Sequence, residues 1–317
     1  MKGMIMAAGV GSRLMPLTTT VPKPMVPVVN IPVMEYCVKL LEKHKVYNII
    51  ANTHYLPRLI TDYFQDGKSF GVNMTYSFEK ELLGTAGGVK NNSWFLDETF
   101  CIVSGDALTN IDLTEMYKFH KEKKALATLA LKQVDDVSQY GVVVTDSDDR
   151  ILAFQEKPKK EEALSNLVNT GIYIFEPEIF SYIPEGFYDF GKQLFPKLVE
   201  LRERIFGFFT DDYWCDVGSL NVYKQANWDV LQGKAQFPGI KVNPIGQGLE
   251  KAPGVEIKEN VVIGDNCRLG ENVSLSNCII WDNCVIEDNV VIDDAIIGAG
   301  CVIKEGSVMK SGEIITI

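Results

Sequence analysis

A glycine-rich turn with two cations is the first group of residues that could do chemistry. Residues 9–14 read GVGSRL, and residues 22–25 read PKPM, which contains Lys23. Glycines let the backbone approach a phosphate, Arg13 can form a two-pronged contact with phosphate oxygens, and Lys23 adds a point charge. The stretch is neither a Rossmann G-x-G-x-x-G, because Leu14 replaces the third glycine, nor a P-loop, because no G-K-[ST] follows. The pattern favours phosphate binding over its alternative, a surface turn with solvated cations.

Two aspartates form the second group. Asp106 follows the apolar run Phe100–Ser104, and Asp216 lies in the β-rich run Tyr213–Val217. Carboxylates that converge from separate strands suit Mg²⁺, which takes oxygen ligands and substrate phosphates. Each aspartate could instead cap a turn or helix, and spacing alone leaves both roles open. A further charge pair, Glu156-Lys157, ends a predicted strand; its alternative is an exposed ion pair of little energetic weight.

Elements that could position these residues alternate between strand and helix. Strands are predicted over Gly3–Ala8, Asn48–His54, Asn73–Phe78 and Phe100–Ser104, and helices over Pro32–Val46, Leu56–Phe64 and Asp112–Lys124. Further along, a hairpin over 141–155 precedes a strand at Asn169–Phe175 and helices at Lys192–Arg204 and Leu220–Leu231. This alternation predicts an α/β fold with a Rossmann-like, mainly parallel sheet and helices on both faces. Ligands of such sheets bind at the carboxyl ends of the strands.

The last part of the chain repeats with a period near six. Nine aliphatic anchors follow one another: Ile257, Ile263, Leu269, Leu275, Ile280, Ile286, Ile292, Ile297 and Ile303. A hexapeptide period indicates a left-handed parallel β-helix, in which three hexads make one coil, so about three coils are predicted. The predicted domains are therefore the α/β domain over 1–236, a linker rich in glycine and proline over 237–254, and the β-helix over 255–317.

Composition restricts the class of protein. The chain has 317 residues, with 31 Lys and Arg against 42 Asp and Glu, which gives a net charge of −11. Binding to a phosphate backbone needs a basic face, so nucleic acid is not an expected partner. No stretch approaches the roughly 18 to 20 apolar residues of a membrane span, so no membrane partner is expected. Seven cysteines without C-x-x-C indicate free thiols in a reducing compartment, and a cytoplasmic location is predicted.

The motifs together resemble the signature segments of sugar-phosphate nucleotidylyltransferases, the nucleotide-sugar pyrophosphorylases. GVGSRLMPLT with PKPM carries the resemblance, and further matches follow in order: LGTAG at 83–87, GD at 105–106, FQEKP at 154–158, NTG at 169–171 and WCDVG at 214–218. The resemblance covers residues 1 to about 232, and hexapeptide tails occur in part of the family. Among its branches, LGTAG with FQEKP looks most like mannose-1-phosphate guanylyltransferases.

The resemblance implies transfer of a nucleotidyl group from a nucleoside triphosphate to a sugar 1-phosphate, most like GTP with mannose 1-phosphate; uridylyl, thymidylyl or adenylyl transfer stays open. It implies Mg²⁺ bound by Asp106 and Asp216, with Arg13 and Lys23 as the other catalytic groups. It places the nucleotide against Ala8, Gly9, Gly11, Gly84 and Thr85. It places the sugar 1-phosphate against Tyr140, Gly141, Glu156, Lys157, Asn169 and Thr170.

One position departs from the family pattern. Guanylyltransferases commonly carry an acid where this chain has Asn110. An amide cannot replace the charge of a carboxylate, so this residue leaves open both a metal contribution at position 110 and the assignment to the mannose branch.

Two rival functions follow from the β-helix. Acyl transfer is one, but β-helix acyltransferases usually use a histidine base, and all three histidines (His44, His54 and His120) precede residue 237. A non-catalytic regulatory subunit is the other, and retention of the cations and carboxylates argues against it.

Three tail cysteines occupy equivalent hexad positions and are predicted to stack as core residues without zinc: Cys267, Cys284 and Cys301. A solenoid end must be capped or paired, and Ile314–Ile317 is apolar, so a homo-oligomer is predicted.

Overall fold

A computed structural model describes residues 1–310 and 312–316. Strands and helices alternate through the first part of the chain, as the sequence predicts. In chain order they are β1 (Lys2–Met6), β2 (Pro27–Val28), β3 (Ile31–Pro32), α1 (Val33–Lys43), β4 (Asn48–Thr53), α2 (Pro57–Phe64), β5 (Asn73–Phe78), α3 (Gly84–Lys90), β6 (Phe100–Ser104), β7 (Ala107–Thr109), α4 (Leu113–Glu122), β8 (Ala127–Gln133), β9 (Gly141–Thr145), β10 (Ile151–Glu156), β11 (Leu167–Phe175), α5 (Phe195–Glu200), β12 (Ile205–Phe209), β13 (Trp214–Asp216) and α6 (Leu220–Leu231).

A nine-stranded sheet organises this part, in the order β10-β9-β11-β6-β1-β4-β5, with β8 paired to β11 and β12 to β8. The neighbours β6, β1, β4 and β5 run parallel, whereas β11 is antiparallel to β6. One buried core lies between this sheet and α1, α2 and α4, and another lies against α3 and α5. The predicted Rossmann-like fold, with helices on both faces of a mainly parallel sheet, is confirmed.

One predicted helix is wrong in its bounds. Lys192–Arg204 was expected to be continuous, but the structure has a π-helical turn at Phe190–Leu194 and then the short α5. Pro196 lacks an N–H donor, so it interrupts the hydrogen-bond register at the start of α5. Arg202 adopts a positive φ of 55°, which ends the helical backbone before Arg204.

The C-terminal part is a parallel β-helix with three four-stranded faces. Its strands are β14 (Glu250–Lys251), β15 (Glu256–Ile257), β16 (Val261–Ile263), β17 (Arg268–Leu269), β18 (Ser274–Ser276), β19 (Cys278–Ile280), β20 (Val285–Ile286), β21 (Val291–Asp293), β22 (Ala295–Ile297), β23 (Val302–Ile303), β24 (Val308–Met309) and β25 (Glu313–Ile315). Four strands per face give four rungs where about three coils were predicted, because β14 lies inside the predicted linker. Asparagines with positive φ form corners, for example Asn266, Asn283 and Asn289, since this residue tolerates the left-handed conformation.

The interior of the β-helix is built by the predicted anchors. Eight of the nine are buried there with Cys267, Cys284 and Cys301. Ile257 is the exception, with 36% of its side chain exposed, because β15 lies in the first rung of its face. Ile314 and Ile315 belong to β25 and pair with Ile296 and Ile297 of β22 in the preceding rung. Ile317 lies outside the described residues.

The β-helix packs against α6 of the α/β domain. Ile279 in its β16–β19–β22 face and Trp281 directly after β19 share a core with Tyr223. Leu14 of the glycine-rich turn and Leu17 shortly after it belong to the same core. Trp281 Nε1 donates a hydrogen bond to the Tyr223 hydroxyl over 2.9 Å. The same core therefore supports both the β-helix and the loop that carries Arg13. Across residues 1–310 and 312–316, the structure contains no helix with the length and apolarity to cross a bilayer.

His120 provides a stability prediction. It is fully buried on α4, with Nδ1 2.8 Å from Thr128 Oγ1 and Nε2 3.3 Å from Glu176 Oε1. Burial lowers its pKa to about 4, whereas an unfolded histidine titrates near 6.5. Between these values the unfolded chain binds a proton that the native state rejects, so stability falls as the pH falls. We expect this group to lower the free energy of unfolding by about 2.5 kcal/mol from pH 6.5 to pH 4.

Urea unfolding across this pH range measures the effect. The variant His120→Gln should lose that part of the pH dependence, and His54→Gln, which leaves His120 in place, should keep it. Equal slopes in the wild type and His120→Gln would contradict the assignment.

Candidate active site

The carboxyl edge of the central sheet brings the predicted catalytic residues together. The glycine-rich turn follows β1, and Asp106 follows the neighbouring β6. Asp216 reaches the same place because β13 pairs with β7 in antiparallel register, which sets Asp216 opposite Ala107. Strand pairing therefore closes the long sequence separation between the two aspartates.

Lys23 lies between these carboxylates. Its Nζ contacts Asp106 Oδ2 and lies 3.5 Å from Asp216 Oδ1, while Arg13 Nη2 is 4.0 Å from Asp216 Oδ2. Gly11 holds the turn against Lys23 with φ of 74°, and a β-carbon there would lie 2.8 Å from Lys23 Cβ. The backbone of the turn thus needs glycine at this position, both for its conformation and for its close contact.

Electrostatics distinguish the two carboxyl groups. Burial opposes ionisation of Asp106, but Lys23 and a hydrogen bond from Ser104 outweigh it and lower the pKa of Asp106. Burial and the neighbouring Asp106 carboxylate raise the pKa of Asp216 to about 6, against the influence of Lys23 and Arg13. Burial likewise opposes the charge on Lys23, and the two aspartates outweigh it, so the pKa of Lys23 is raised. The ammonium of Lys23 thus lies between oxygen atoms of two carboxyl groups.

The donor set fits magnesium. The ammonium of Lys23 shows that both carboxylates can face one cation at a single position. Among the residues that the structure describes, no group of three or more His, Cys, Asp or Glu converges on a metal position. Mg²⁺ commonly binds through one or two carboxylates, with water and substrate phosphates as its other ligands, so two aspartates are sufficient.

Two cavities meet at this cluster. The first, of about 460 Å³, is lined by the predicted nucleotide residues Ala8, Gly9, Gly11, Gly84 and Thr85. The second, of about 200 Å³, is lined by the predicted sugar-phosphate residues Tyr140, Gly141, Glu156, Lys157, Asn169 and Thr170. Arg13, Lys23, Ser104 and Asp106 line both, and Asp216 lines the second. We name them the first cavity and the second cavity.

Polar side chains and an aromatic pair shape the second cavity. Tyr140 and Trp214 make an edge-to-face contact with ring centroids 5.2 Å apart, and Trp214 Nε1 donates to the Thr170 carbonyl. The Thr170 hydroxyl donates to a backbone carbonyl and is buried, so this residue lines the cavity mainly through its backbone position. Burial raises the pKa of Glu156, and Lys157 opposes that shift from 4.0 Å away.

A buried hydrogen-bond network beside the first cavity was not predicted from the sequence. Asn52 Oδ1 accepts from Ala7 N at 2.9 Å, Asn52 Nδ2 donates to Glu79 Oε1 at 2.7 Å, and Glu79 Oε2 accepts from Leu83 N at 3.1 Å. This network joins the segment before the glycine-rich turn to Leu83 at the start of α3, so it positions two sides of the cavity. Asn52 lies in β4 and Glu79 directly follows β5, so the rule that ligands bind at the carboxyl ends of parallel strands could have identified both.

Asn110 has a structural role in this arrangement. Its Oδ1 accepts from Tyr213 N at 2.9 Å, and its own N–H donates to the Tyr213 carbonyl. It therefore fastens the segment before β13 to the segment after β7, and so supports the strand pair that brings the aspartates together.

Comparison with known proteins defines the class. Residues 2–233 match the family model described as nucleotidyl transferase, so the chain belongs to this family, in the class of sugar-1-phosphate nucleotidylyltransferases. Residues 221–317 match the model of the EIF2B subunit epsilon LbH domain, where LbH denotes a left-handed β-helix.

Two relatives and one solved structure are similar to most of this chain. A UTP–glucose-1-phosphate uridylyltransferase of Synechocystis is 47% identical over 262 residues, which is 77% of this chain and 68% of the relative. A mannose-1-phosphate guanylyltransferase of Mycobacterium tuberculosis is 30% identical over 80% of this chain and 77% of its own. The solved structure of a UDP-glucose pyrophosphorylase with UDP-glucose superposes with a TM-score of 0.64 at 24% identity, over 73% of this chain and 98% of that one, and shows the shared fold.

Proposed function

We propose that this protein transfers a uridylyl group from UTP to glucose 1-phosphate and releases pyrophosphate. The observation that carries the proposal is the shared wall of the two cavities, where Arg13, Lys23 and Asp106 face both. A triphosphate in the first cavity and a sugar 1-phosphate in the second would meet at this wall. The reacting phosphates would therefore come together where the cations and carboxylates are concentrated.

The reaction is a direct displacement at phosphorus. An oxygen of the sugar phosphate forms a bond to the α-phosphorus, the bond from the α-phosphorus to the bridging oxygen of the β-phosphate breaks, and pyrophosphate leaves. Protein groups position the reactants and neutralise charge, so no covalent enzyme intermediate is required. Lys157 would align the sugar phosphate, and Arg13 and Lys23 would stabilise the departing pyrophosphate. Asp106 and Asp216 would hold Mg²⁺, which when bound neutralises phosphate charge.

The choice of UTP and glucose 1-phosphate rests on the Synechocystis relative, whose identity extends over 77% of the chain. Guanylyl transfer to mannose 1-phosphate, which the LGTAG and FQEKP motifs favour, is the second candidate. A specific observation supports it. Glu79 lines the first cavity, and each of its carboxylate oxygens, which already accepts one hydrogen bond from Asn52 or Leu83, has a further lone pair that could accept from the two adjacent N–H donors of guanine. Uracil offers one N–H between two carbonyl acceptors.

A pyrophosphate-release panel tests this proposal. ATP, CTP, GTP, TTP and UTP are each combined with glucose, mannose and N-acetylglucosamine 1-phosphates in Mg²⁺. We expect UTP with glucose 1-phosphate to give the highest kcat/KM, by at least about tenfold, which corresponds to 1.4 kcal/mol of transition-state discrimination. A maximum with GTP and mannose 1-phosphate would establish the second candidate instead. Nucleotide binding without release from any pair would support the regulatory-subunit alternative.

We also propose a homo-oligomer, because a solenoid end is usually capped or paired. Light scattering at micromolar concentration tests this directly, and a monomer would contradict it.

A further inference from the structure

An exposed aromatic ring lies at the mouth of the first cavity. Phe187 is 66% exposed, and it lines the cavity with Leu82, Gly84 and Thr85. Within residues 1–310 and 312–316, its ring makes no aromatic contact, unlike the neighbouring Phe190, which packs with Phe175 and Phe195. A ligand that covers an exposed apolar ring at the edge of a cavity removes apolar surface from water, which favours binding.

The backbone on both sides of Phe187 is fixed. Tyr188 N donates to the Leu83 carbonyl and Gly87 N donates to the Tyr188 carbonyl, both at 2.9 Å. Gly186 turns the chain with φ of 90°, and its carbonyl oxygen would lie 2.2 Å from a β-carbon on Gly87. The backbone of residues 186–188 therefore packs directly against the backbone of the first turn of α3.

This contact places the Phe187 ring beside Gly84, the first residue of α3. A β-carbon on Gly84 would lie 3.2 Å from Phe187 Cε2. Thr85 Oγ1 donates to Asp189 Oδ2 at 3.0 Å and accepts from Phe190 N at 2.7 Å, which anchors the segment that follows. The ring can rotate about its own side-chain bonds, while these hydrogen bonds hold the backbone that carries it against the cavity wall.

The cavity has two chemically different regions. Arg13 and Lys23 supply the cations that a triphosphate needs, whereas Leu82 and Phe187 supply an exposed apolar wall. A nucleotide has the matching division, with anionic phosphates at one end and a flat base at the other. Bases of all kinds stack on aromatic rings, because each has a π-face.

We propose that Phe187 packs its ring against the base of the bound nucleoside triphosphate. The inference rests on the proposed function, since it assumes that the first cavity takes the nucleotide. Phe187 adds affinity for any base and leaves the choice between uracil and guanine to polar groups such as Glu79.

The test compares Phe187→Ala with a matched control. Phe209→Ala removes another exposed phenylalanine, 43% exposed and outside the linings of both cavities. We expect Phe187→Ala to weaken binding of Mg–UTP and Mg–GTP by about tenfold each, measured by calorimetry, and Phe209→Ala to change neither. The KM for the sugar 1-phosphate should be unchanged in both variants.

Two further measurements separate stacking from a general disturbance of the site. Tripolyphosphate has no base, so its affinity should be the same in the wild type and in Phe187→Ala. Phe187→Trp should retain nucleotide affinity, and nucleotide should quench the emission of the new tryptophan relative to wild type. Unchanged nucleotide affinity in Phe187→Ala, or equal loss for tripolyphosphate, would overturn the proposal.

Failure of the proposed function would look different. A wild type that binds Mg–UTP but releases no pyrophosphate would end the enzymatic proposal, yet calorimetry would still decide the role of Phe187. A wild type that binds no nucleotide would overturn both.

Discussion

Replacing Asp106 with alanine is expected to lower kcat at least about 100-fold, measured as pyrophosphate release at saturating substrates in Mg²⁺. Asp106 faces both cavities and contacts Lys23, so its carboxylate lies where the two substrates would meet. Asp216→Ala should have an effect of similar size, because the same cation would lose its other protein ligand. Near-normal turnover in either variant would contradict the mechanism.

The control for this experiment is Asp135→Ala. Asp135 is exposed on the loop after β8 and lies outside the linings of both cavities, so its removal should leave kcat unchanged. Loss of activity in Asp106→Ala should not come from unfolding, because Lys23 Nζ still has the Asp216 carboxylate as a partner, 3.5 Å away. We therefore expect Asp106→Ala to retain native circular dichroism and cooperative unfolding while activity is lost.

Replacing Lys23 with methionine is expected to have two large effects. The variant should lose about 100-fold in kcat, because a cation facing the reacting phosphates is removed. It should also destabilise the metal-free protein by about 3 kcal/mol, because two largely buried carboxylates lose the cation between them. Chemical unfolding with and without Mg²⁺ measures the second effect.

Magnesium should distinguish this variant from an ordinary destabilised protein. The ammonium of Lys23 competes for the carboxylates in the wild type, so Mg²⁺ should raise the Tm of Lys23→Met more than that of the wild type. The matched control is Lys197→Met, which removes a part-buried lysine whose Nζ donates to the Tyr182 carbonyl at 3.0 Å. Its Tm should respond to Mg²⁺ as the wild type does. An equal response in all three proteins would rule out a shared cation position.

Much of the fold could be predicted from local pattern. Alternation of strand and helix predicts the central sheet, because each segment must bury its apolar face against the next layer. The six-residue period predicts the β-helix for the same reason, since repeated anchors such as Ile263 and Ile280 stack in register. The break at Pro196 was less visible, because a proline in the first turn is compatible with a helix and the π-turn before it depends on packing.

Residue types alone predicted the chemistry of this protein: glycines that admit a phosphate, cations that suit it, and aspartates that suit a hard metal ion. Only the tertiary structure decided which of them meet. Asp216 reaches Asp106 through the pairing of β13 with β7. Asn52 joins Ala7 to Glu79, Glu79 accepts directly from Leu83 N, and Asn110 holds the backbone of Tyr213. The physical reason is that hydrogen bonds and ion pairs depend on distances of a few ångströms, which are fixed by strand pairing between segments that are far apart in sequence.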